Sequence, residues 1–502
     1  MSIASWFRRH AMLVVVCVIV TVPVWIVRYP PMQDFPLHVA TLRILHDLDN
    51  PHFGFASDFQ LTLGRTQYIG FYLAGHLLAF VVGVPVAARL LICFYLAGTL
   101  LALRSLLLAL GRDPWLFLAA VPVLYNPLLA LGLLPFLISI PVLLWGVAAL
   151  LAEKRAPSFR TSAAVAAIGF SLVYLHVASL GLFLVAALLL FPYRAGGGAR
   201  AAAVVSLVPC AGALAWWLLF TNVGRSVFAV TTHWGTGESR PPFSAAVADM
   251  YPWLANAFPD PSDEITFAIT LCAVAAIAWS AHKGAVPLRL QVPYYGILPL
   301  FCLALYLTGA RSRGVIWPLA QRYMLPAALL AIPLLPLPTS ERAGRWAKAA
   351  LAACGALCVV NAAVHYVRFD RDDLGDFPAA LEQMDARKHV AALIFQPRAS
   401  SSRFWPFLHF GSYYQVEKGG VVDFTFAGYD QWPVDFEKGR YPLFDGPASP
   451  RWEWLPSEVV RSQPLSSYFD YALVRDRGDQ PAPAGYRSKW SGRHWEVFER
   501  ER

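Results

Sequence analysis

The feature that most constrains this chain is a recurrent run of about 20 apolar residues, broken by short polar stretches. An α-helix rises 1.5 Å per residue, so a run of that length crosses the ~30 Å hydrocarbon core of a bilayer. Composition agrees: 57% of the 502 residues are hydrophobic, only 15% are charged, and the mean hydropathy is +0.49. Soluble domains carry about 25% charged residues. The expected class is therefore a polytopic α-helical membrane protein. Its formal charge of +9 is spread over short loops and the C-terminal region. That pattern fits membrane orientation and attraction to anionic membrane lipids, and gives no nucleic-acid footprint. All seven cysteines fall inside apolar spans, so no disulfide framework is indicated.

Apolar runs place crossings at 11–27, 68–84, 86–110, 115–131, 133–152, 163–191, 201–220, 264–281, 292–309, 323–338 and 346–366, about 11 in all. Arg8 and Arg9 precede the first run, which lacks a small-residue cleavage site, so it reads as an uncleaved crossing with a cytoplasmic N-terminus. Basic residues at 194–200, 282–289 and 342–348 then fall on the cytoplasmic side. The segment 153–160, with Glu153, Lys154, Arg155 and Arg160, falls outside against the positive-inside rule. Asn126-Pro127, Gly132, Pro135 and Pro141 mark 126–141 as a broken or re-entrant stretch, which must be covered by protein.

Two units are expected: a transmembrane unit, 1–367, and a water-facing unit of mixed α and β character, 368–502, rich in charge, Pro and aromatics. Strands are expected at 390–395, 421–426, 471–474 and 495–498, and helices near 373–386 and 403–417. Long extracytoplasmic loops are expected at 28–67 and 221–263.

The stretch Arg28 to His46 is the chemical centre of the sequence. Pro30 and Pro31 stop the first helix, and Pro36 fits the first turn of a new one. Leu37, Ala40, Leu42, Ile44 and Leu45 then give an apolar face, and Arg43, His46 and Asp47 a polar one, as in a helix lying in the interface. Asp34 stands at the mouth of that helix, either as its N-cap or as a functional carboxylate. His38 follows about one turn later on the same face.

One crossing followed by a loop that opens on an acid and an amphipathic helix resembles the GT-C membrane glycosyltransferases. These include the protein mannosyltransferases and the aminoarabinose transferases of lipid A. The resemblance rests on Asp34-Phe-Pro-Leu-His38 and on Gln321-Arg322-Tyr323-Met-Leu-Pro326. It implies a GT-C-like fold and transfer of a sugar from a polyprenyl-phosphate donor to a hydroxyl on a glycan, lipid or protein. The setting it implies is a bacterial inner membrane, with the C-terminal unit and the active site outside. The chain departs from the family pattern in carrying Gln33-Asp34 where most relatives have an acidic pair.

Such a reaction needs a base for the acceptor hydroxyl and a cation for the departing phosphate. Single displacement inverts the anomeric centre. Asp34 is the expected general base. His38 is a second proton acceptor, a metal ligand or a partner that orients Asp34. Arg322, with Tyr323 and Arg313, is the expected phosphate site, because a guanidinium forks onto phosphate oxygens. Arg322 and Tyr323 are equally readable as a helix-end anchor. His233, Glu238 and Arg43 are candidate acceptor contacts. His176 reads as a mid-span structural hydrogen-bonding group. No metal-spaced ligand set stands out, so no cofactor is assigned. A lipid or solute transporter and a non-catalytic assembly protein are the alternatives. A transporter would show paired interrupted spans and ionisable residues at the midplane, which this sequence lacks.

Overall fold

The computed structural model describes residues 3–64, 68–221, 223–225, 238–282, 294–313, 317–336, 338, 340–427, 429, 431–440, 456–462 and 464–501. The first crossing is α1 (Ile3–Ile19), extended by the short α2 (Val22–Trp25). There follow α3 (Phe35–Asp47), α4 (Ile69–Val82), α5 (Val84–Ala109), a 3₁₀ stretch over Pro114–Val123, α6 (Pro127–Ala130) and α7 (Leu134–Arg155). Next come α8 (Phe159–Leu175), α9 (Val177–Leu190) and α10 (Gly197–Phe220). Two short helices, α11 (Phe243–Ala248) and α12 (Met250–Ala255), lead into α13 (Ser262–His282), α14 (Ile297–Thr308), α15 (Met324–Ala331) and α16 (Glu341–Arg368). Among the described residues, five of these helices are long and apolar enough to cross a membrane: α5, α7, α10, α13 and α16.

The bundle has two ends. At one, Lys348 pairs with Asp113 at 2.9 Å, and Arg112 donates to the Leu335 carbonyl. At the other, the N–H groups of Gln33 and Asp34 donate to the Ala130 and Leu131 carbonyls at 2.9 and 3.1 Å. The segment from Asp113 to Leu131 therefore runs from end to end, but as 3₁₀ turns and one short helix rather than a regular span. Its freed backbone is covered, as the sequence demanded. Asn126 caps α6 through its carbonyl oxygen, while its amide donates to the Tyr95 hydroxyl at 3.0 Å.

Two expected crossings are corrected. Residues 68–84 do not cross the bundle. Tyr68, just before α4, packs against Trp432, while Arg89, just after it, donates to the Val27 carbonyl at 3.0 Å. Both ends of α4 thus lie at the Asp34 end, with Leu77, Phe80 and Val81 turned outward. Its side chains follow α3 along its length, Tyr72 meeting His38 and His76 meeting His46, so the helix lies flat against α3. Conversely, the apolar run 163–191 is two antiparallel helices that reverse at His176, which has extended backbone between them. A Cβ on Gly169 would stand 3.0 Å from the Phe183 ring, and those residues are equidistant in sequence from His176. Small residues at Gly146 and Gly169 let α7, α8, α9 and α10 approach closely, which is how helices associate without a hydrophobic drive.

The first correction also resolves the charged segment 153–160. Being 22 residues long, α7 starts beside Asp34 and ends ~33 Å away, so Glu153 sits at the far end. There it accepts from Ser162 at 2.7 Å and Ser206 at 3.3 Å, tying the first turn of α8 and the body of α10 to the end of α7.

After α16 come α17 (Phe377–Glu382), α18 (Ser412–Lys418) and a five-stranded sheet. With β1 (Phe59–Leu61), β2 (Glu238–Ser239) and β3 (Ser312–Arg313) in the loops, the sheet strands are β4 (His389–Ile394), β5 (Val421–Val422), β7 (Tyr471–Arg475), β8 (Tyr486–Ser491) and β9 (Trp495–Arg500). Their order is β5-β4-β7-β9-β8, parallel at β5-β4-β7 and antiparallel beyond. Each expected strand has its counterpart; β8 is additional, and the two expected helices are shorter. β6 (Val434–Phe436) leaves this sheet and pairs antiparallel with β1, Leu61 opposite Val434. The C-terminal part is thereby stitched to the first loop.

Candidate active site

Asp34 is the residue before α3, but its side chain makes no capping hydrogen bond. Its Oδ1 instead accepts from Gln33 Nε2 at 3.3 Å and faces His409 Nε2 at 3.4 Å. The carboxylate is therefore not committed to the helix end, which removes the N-cap reading. Its backbone is held by the broken segment at Gly132. That residue has φ +78°, and a Cβ there would meet the Phe35 nitrogen at 2.9 Å and the Asp34 nitrogen at 3.0 Å. Only glycine combines that left-handed backbone with that approach.

Asp34 lines a cavity of about 180 Å³ together with His38, Tyr68, His176, Trp317, Arg322 and Trp432. The sequence contributes them from the first loop, the α8–α9 turn, the segment before α15, and the strand-bearing tail. Trp432 is positioned by the β1–β6 pair, since Thr62 Oγ1 donates to the Trp432 carbonyl at 3.1 Å. Its ring stacks on Phe426 at 4.0 Å, and Tyr68 lies 6.1 Å away. These rings form an aromatic wall beside the carboxylate.

His38 lines the cavity from within an aromatic enclosure. Its Nδ1 is 2.8 Å from the Tyr72 hydroxyl, and it is enclosed by Phe71, Tyr72, Phe426 and Trp432. Burial pulls its pKa down to about 4, against the smaller opposing effects of Asp34 and a hydrogen bond to the Gly132 backbone. It is a neutral ring that props the aromatic wall. Among the described residues no three His, Cys, Asp or Glu side chains gather as a metal-ligand set.

Across the cavity, Arg322 Nη1 is 3.1 Å from His176 Nε2, and Arg322 Nε is buried without a partner among the described residues. His176 Nδ1 accepts from the Ala178 N–H at 3.2 Å, capping α9. Burial first, and the Arg322 charge second, push the imidazole well below its usual pKa. The guanidinium and the neutral ring form a hydrogen-bonded pair on this wall of the cavity, with Arg322 supplying its charge. His176 is not mid-span, as expected from the sequence, but at a turn in the site.

The remaining candidates divide. Tyr323 adjoins Arg322 but is not among the residues lining the cavity. Arg43 is on the other side of α3, where it pairs with Asp47 at 2.6 Å and donates to the Val416 carbonyl, so it makes no contact with the Asp34 cavity. Glu238 and Arg313 are backbone partners in the β2–β3 pair, and their side chains lie outside the described residues, as does His233. Arg311, which precedes Arg313 on the same segment, is buried and donates to the Tyr306 hydroxyl at 3.0 Å. Sequence reasoning missed His409, Trp432, Trp317 and Tyr68. No local signal marks His409, which reaches Asp34 from far along the chain.

The whole chain superimposes on the crystal structure of ArnT from Cupriavidus metallidurans bound to undecaprenyl phosphate. The TM-score is 0.54 at 11% identity, over 99% of this chain and 98% of that one. The fold is that of ArnT. The apo structure of the same protein gives a TM-score of 0.52 with the same identity and coverage. No protein-family model and no curated protein matches the sequence. The mostly helical architecture with several long apolar helices expected from the sequence is therefore the one observed, and the likeness to the ArnT fold spans the bundle and the C-terminal sheet alike.

Proposed function

We propose that this chain is a membrane glycosyltransferase that moves a sugar from a polyprenyl-phosphate donor to an acceptor hydroxyl. The observation that carries the reading is one cavity bounded on one side by a carboxylate unused as a cap, and on the other by the hydrogen-bonded pair Arg322 and His176. Asp34 takes the acceptor proton as the acceptor oxygen attacks the anomeric carbon. The bond from that carbon to the phosphate oxygen breaks, and the phosphate leaves with the electron pair. The Arg322 guanidinium, oriented by His176, receives it. The leaving group needs no acid, and one displacement inverts the anomeric centre. The sugar lies against Trp432, Phe426 and Tyr68, whose faces suit its C–H surface. The undecaprenyl phosphate named in the ArnT structure supports a polyprenyl phosphate here. The reaction as proposed draws on no resident metal or cofactor.

We further propose eleven crossings with the Asp34 end outside, in a bacterial inner membrane. With α4 lying flat and α8–α9 counted as two, every basic cluster, 153–160 included, falls on the cytoplasmic side. The acceptor is a glycan, lipid or protein hydroxyl.

The test is transfer from a panel of radiolabelled polyprenyl-phosphate sugars by the purified protein. Asp34→Asn should cut turnover by about 10²–10⁴-fold, the range for a lost general base. Arg322→Gln should cost about 10²–10³-fold, as for one lost transition-state donor. Full activity in folded Asp34→Asn would leave transport or scaffolding standing.

A further inference from the structure

α3 is a wall with two faces. Behind it, away from Asp34, lies a second cavity of about 360 Å³, twice the first, bounded by Arg28, Arg89, Tyr413 and Glu417 and by Phe35 and Val39 of α3. Its charges are unevenly matched. Arg28 pairs with Glu417 at 3.0 Å, and Arg43 is matched by Asp47. Among the described residues Arg89 donates to main-chain oxygens, those of Val27 and Arg28, and stacks on Trp25 with 5.7 Å to the ring centre. Among the described residues no carboxylate pairs with it.

A second observation is independent of the charges. Tyr413 is 4% exposed, lines this cavity, and its hydroxyl has no hydrogen-bond partner among the described residues. Its neighbour Tyr29 donates to Glu417 at 2.6 Å, so the want of a partner is particular to Tyr413. A buried donor left unmade costs about 1–3 kcal/mol, and an acceptor in the cavity would remove that cost. The cavity also adjoins the point where the first crossing ends, beside the exposed apolar side chains of Trp25 and Ile26.

We infer that this cavity binds a phosphate oxyanion carried on a membrane lipid, held by the Tyr413 hydroxyl and the Arg89 guanidinium. The Arg28–Glu417 pair forms its outer rim, and the acyl chains leave past Trp25 and Ile26. The inference does not depend on the reaction proposed for the Asp34 cavity, since α3 separates the two.

The experiment is native mass spectrometry of the full chain, delipidated in a neutral detergent. The probes are phosphatidic acid, diacylglycerol with the same acyl chains, and inorganic phosphate. Phosphatidic acid should be retained and diacylglycerol should not. Tyr413→Phe and Arg89→Gln should each weaken retention about tenfold or more, the cost of one hydrogen bond to a charged group. Asp34→Asn, across α3, should leave it unchanged. Tyr413→Phe keeps the ring and its packing, so it decides the matter if Arg89→Gln fails to fold. Retention equal in wild type and Tyr413→Phe, or lost in Asp34→Asn, overturns the site. Displacement by inorganic phosphate at equal concentration overturns the lipid source.

Discussion

His38 illustrates how a residue suited to proton transfer is turned into a structural one. Because the folded chain binds its proton only near pH 4, while an exposed histidine titrates near 6.5, the unfolded state takes up the proton first on acidification. Stability is therefore fully present above about pH 6.5 and is lost as the pH falls toward 4. The loss amounts to at most about 3 kcal/mol. Thermal unfolding in detergent between pH 4.5 and 7.5 should show this slope, and His38→Gln should flatten it. Gly132 makes a second residue-scale case. Gly132→Ala should destabilise by about 1–3 kcal/mol, the cost of a strained backbone, and depress transfer further by shifting Asp34. Gly181→Ala, whose Cβ would meet open space, is the matched control in the same unfolding assay. At this scale the sequence was informative where location alone decided: Asp34 follows a proline stop at the end of a crossing. It was silent about His409, because nothing near residue 409 records that residue 34 is its neighbour.

At the scale of elements, hydropathy and periodicity found almost every helix but not always its direction. α4 and a true crossing have the same composition; only packing against α3 and the return to Val27 at Arg89 separate them. The reversal at His176 lacks the Gly or Pro that usually marks a turn, so 163–191 reads as one long helix. The signal that would have found it was electrostatic: the basic residues of 153–160 and 194–200 flank it and belong on one side. Strand pairing across the chain was equally invisible, since β1 has only three residues and its partner lies in the tail. That pairing is directly testable. Gln60 and Asp435 are opposite one another, and antiparallel partners stand about 4.5–5.5 Å apart at Cα, within disulfide reach. Gln60→Cys with Asp435→Cys should cross-link on mild oxidation, read as a mobility shift that reductant reverses. Failure to cross-link would remove the register that sets Trp432.

For the whole molecule, the proposed orientation makes a prediction opposite to the simple hydropathy map. A membrane-impermeant maleimide should label Ala156→Cys only from the cytoplasmic side and Glu382→Cys only from the outside. Labelling of both from one face would refute the two-ended bundle. The architecture also shows why a site can be assembled from parts so distant in sequence. The regular helices form a scaffold, the broken segment at Asn126–Gly132 carries the loop that bears Asp34, and the C-terminal sheet closes over it.

The β1–β6 pair has a consequence for biosynthesis. Strand β1 leaves the ribosome near residue 61 and its partner only near residue 434. At roughly 5–20 residues per second, the first loop waits on the order of half a minute with its strand edge unmatched and the Trp432 position vacant. A nascent or prematurely terminated chain thus carries the helical bundle with an unfinished cavity, the Trp432 wall beside Asp34 being the last part to arrive.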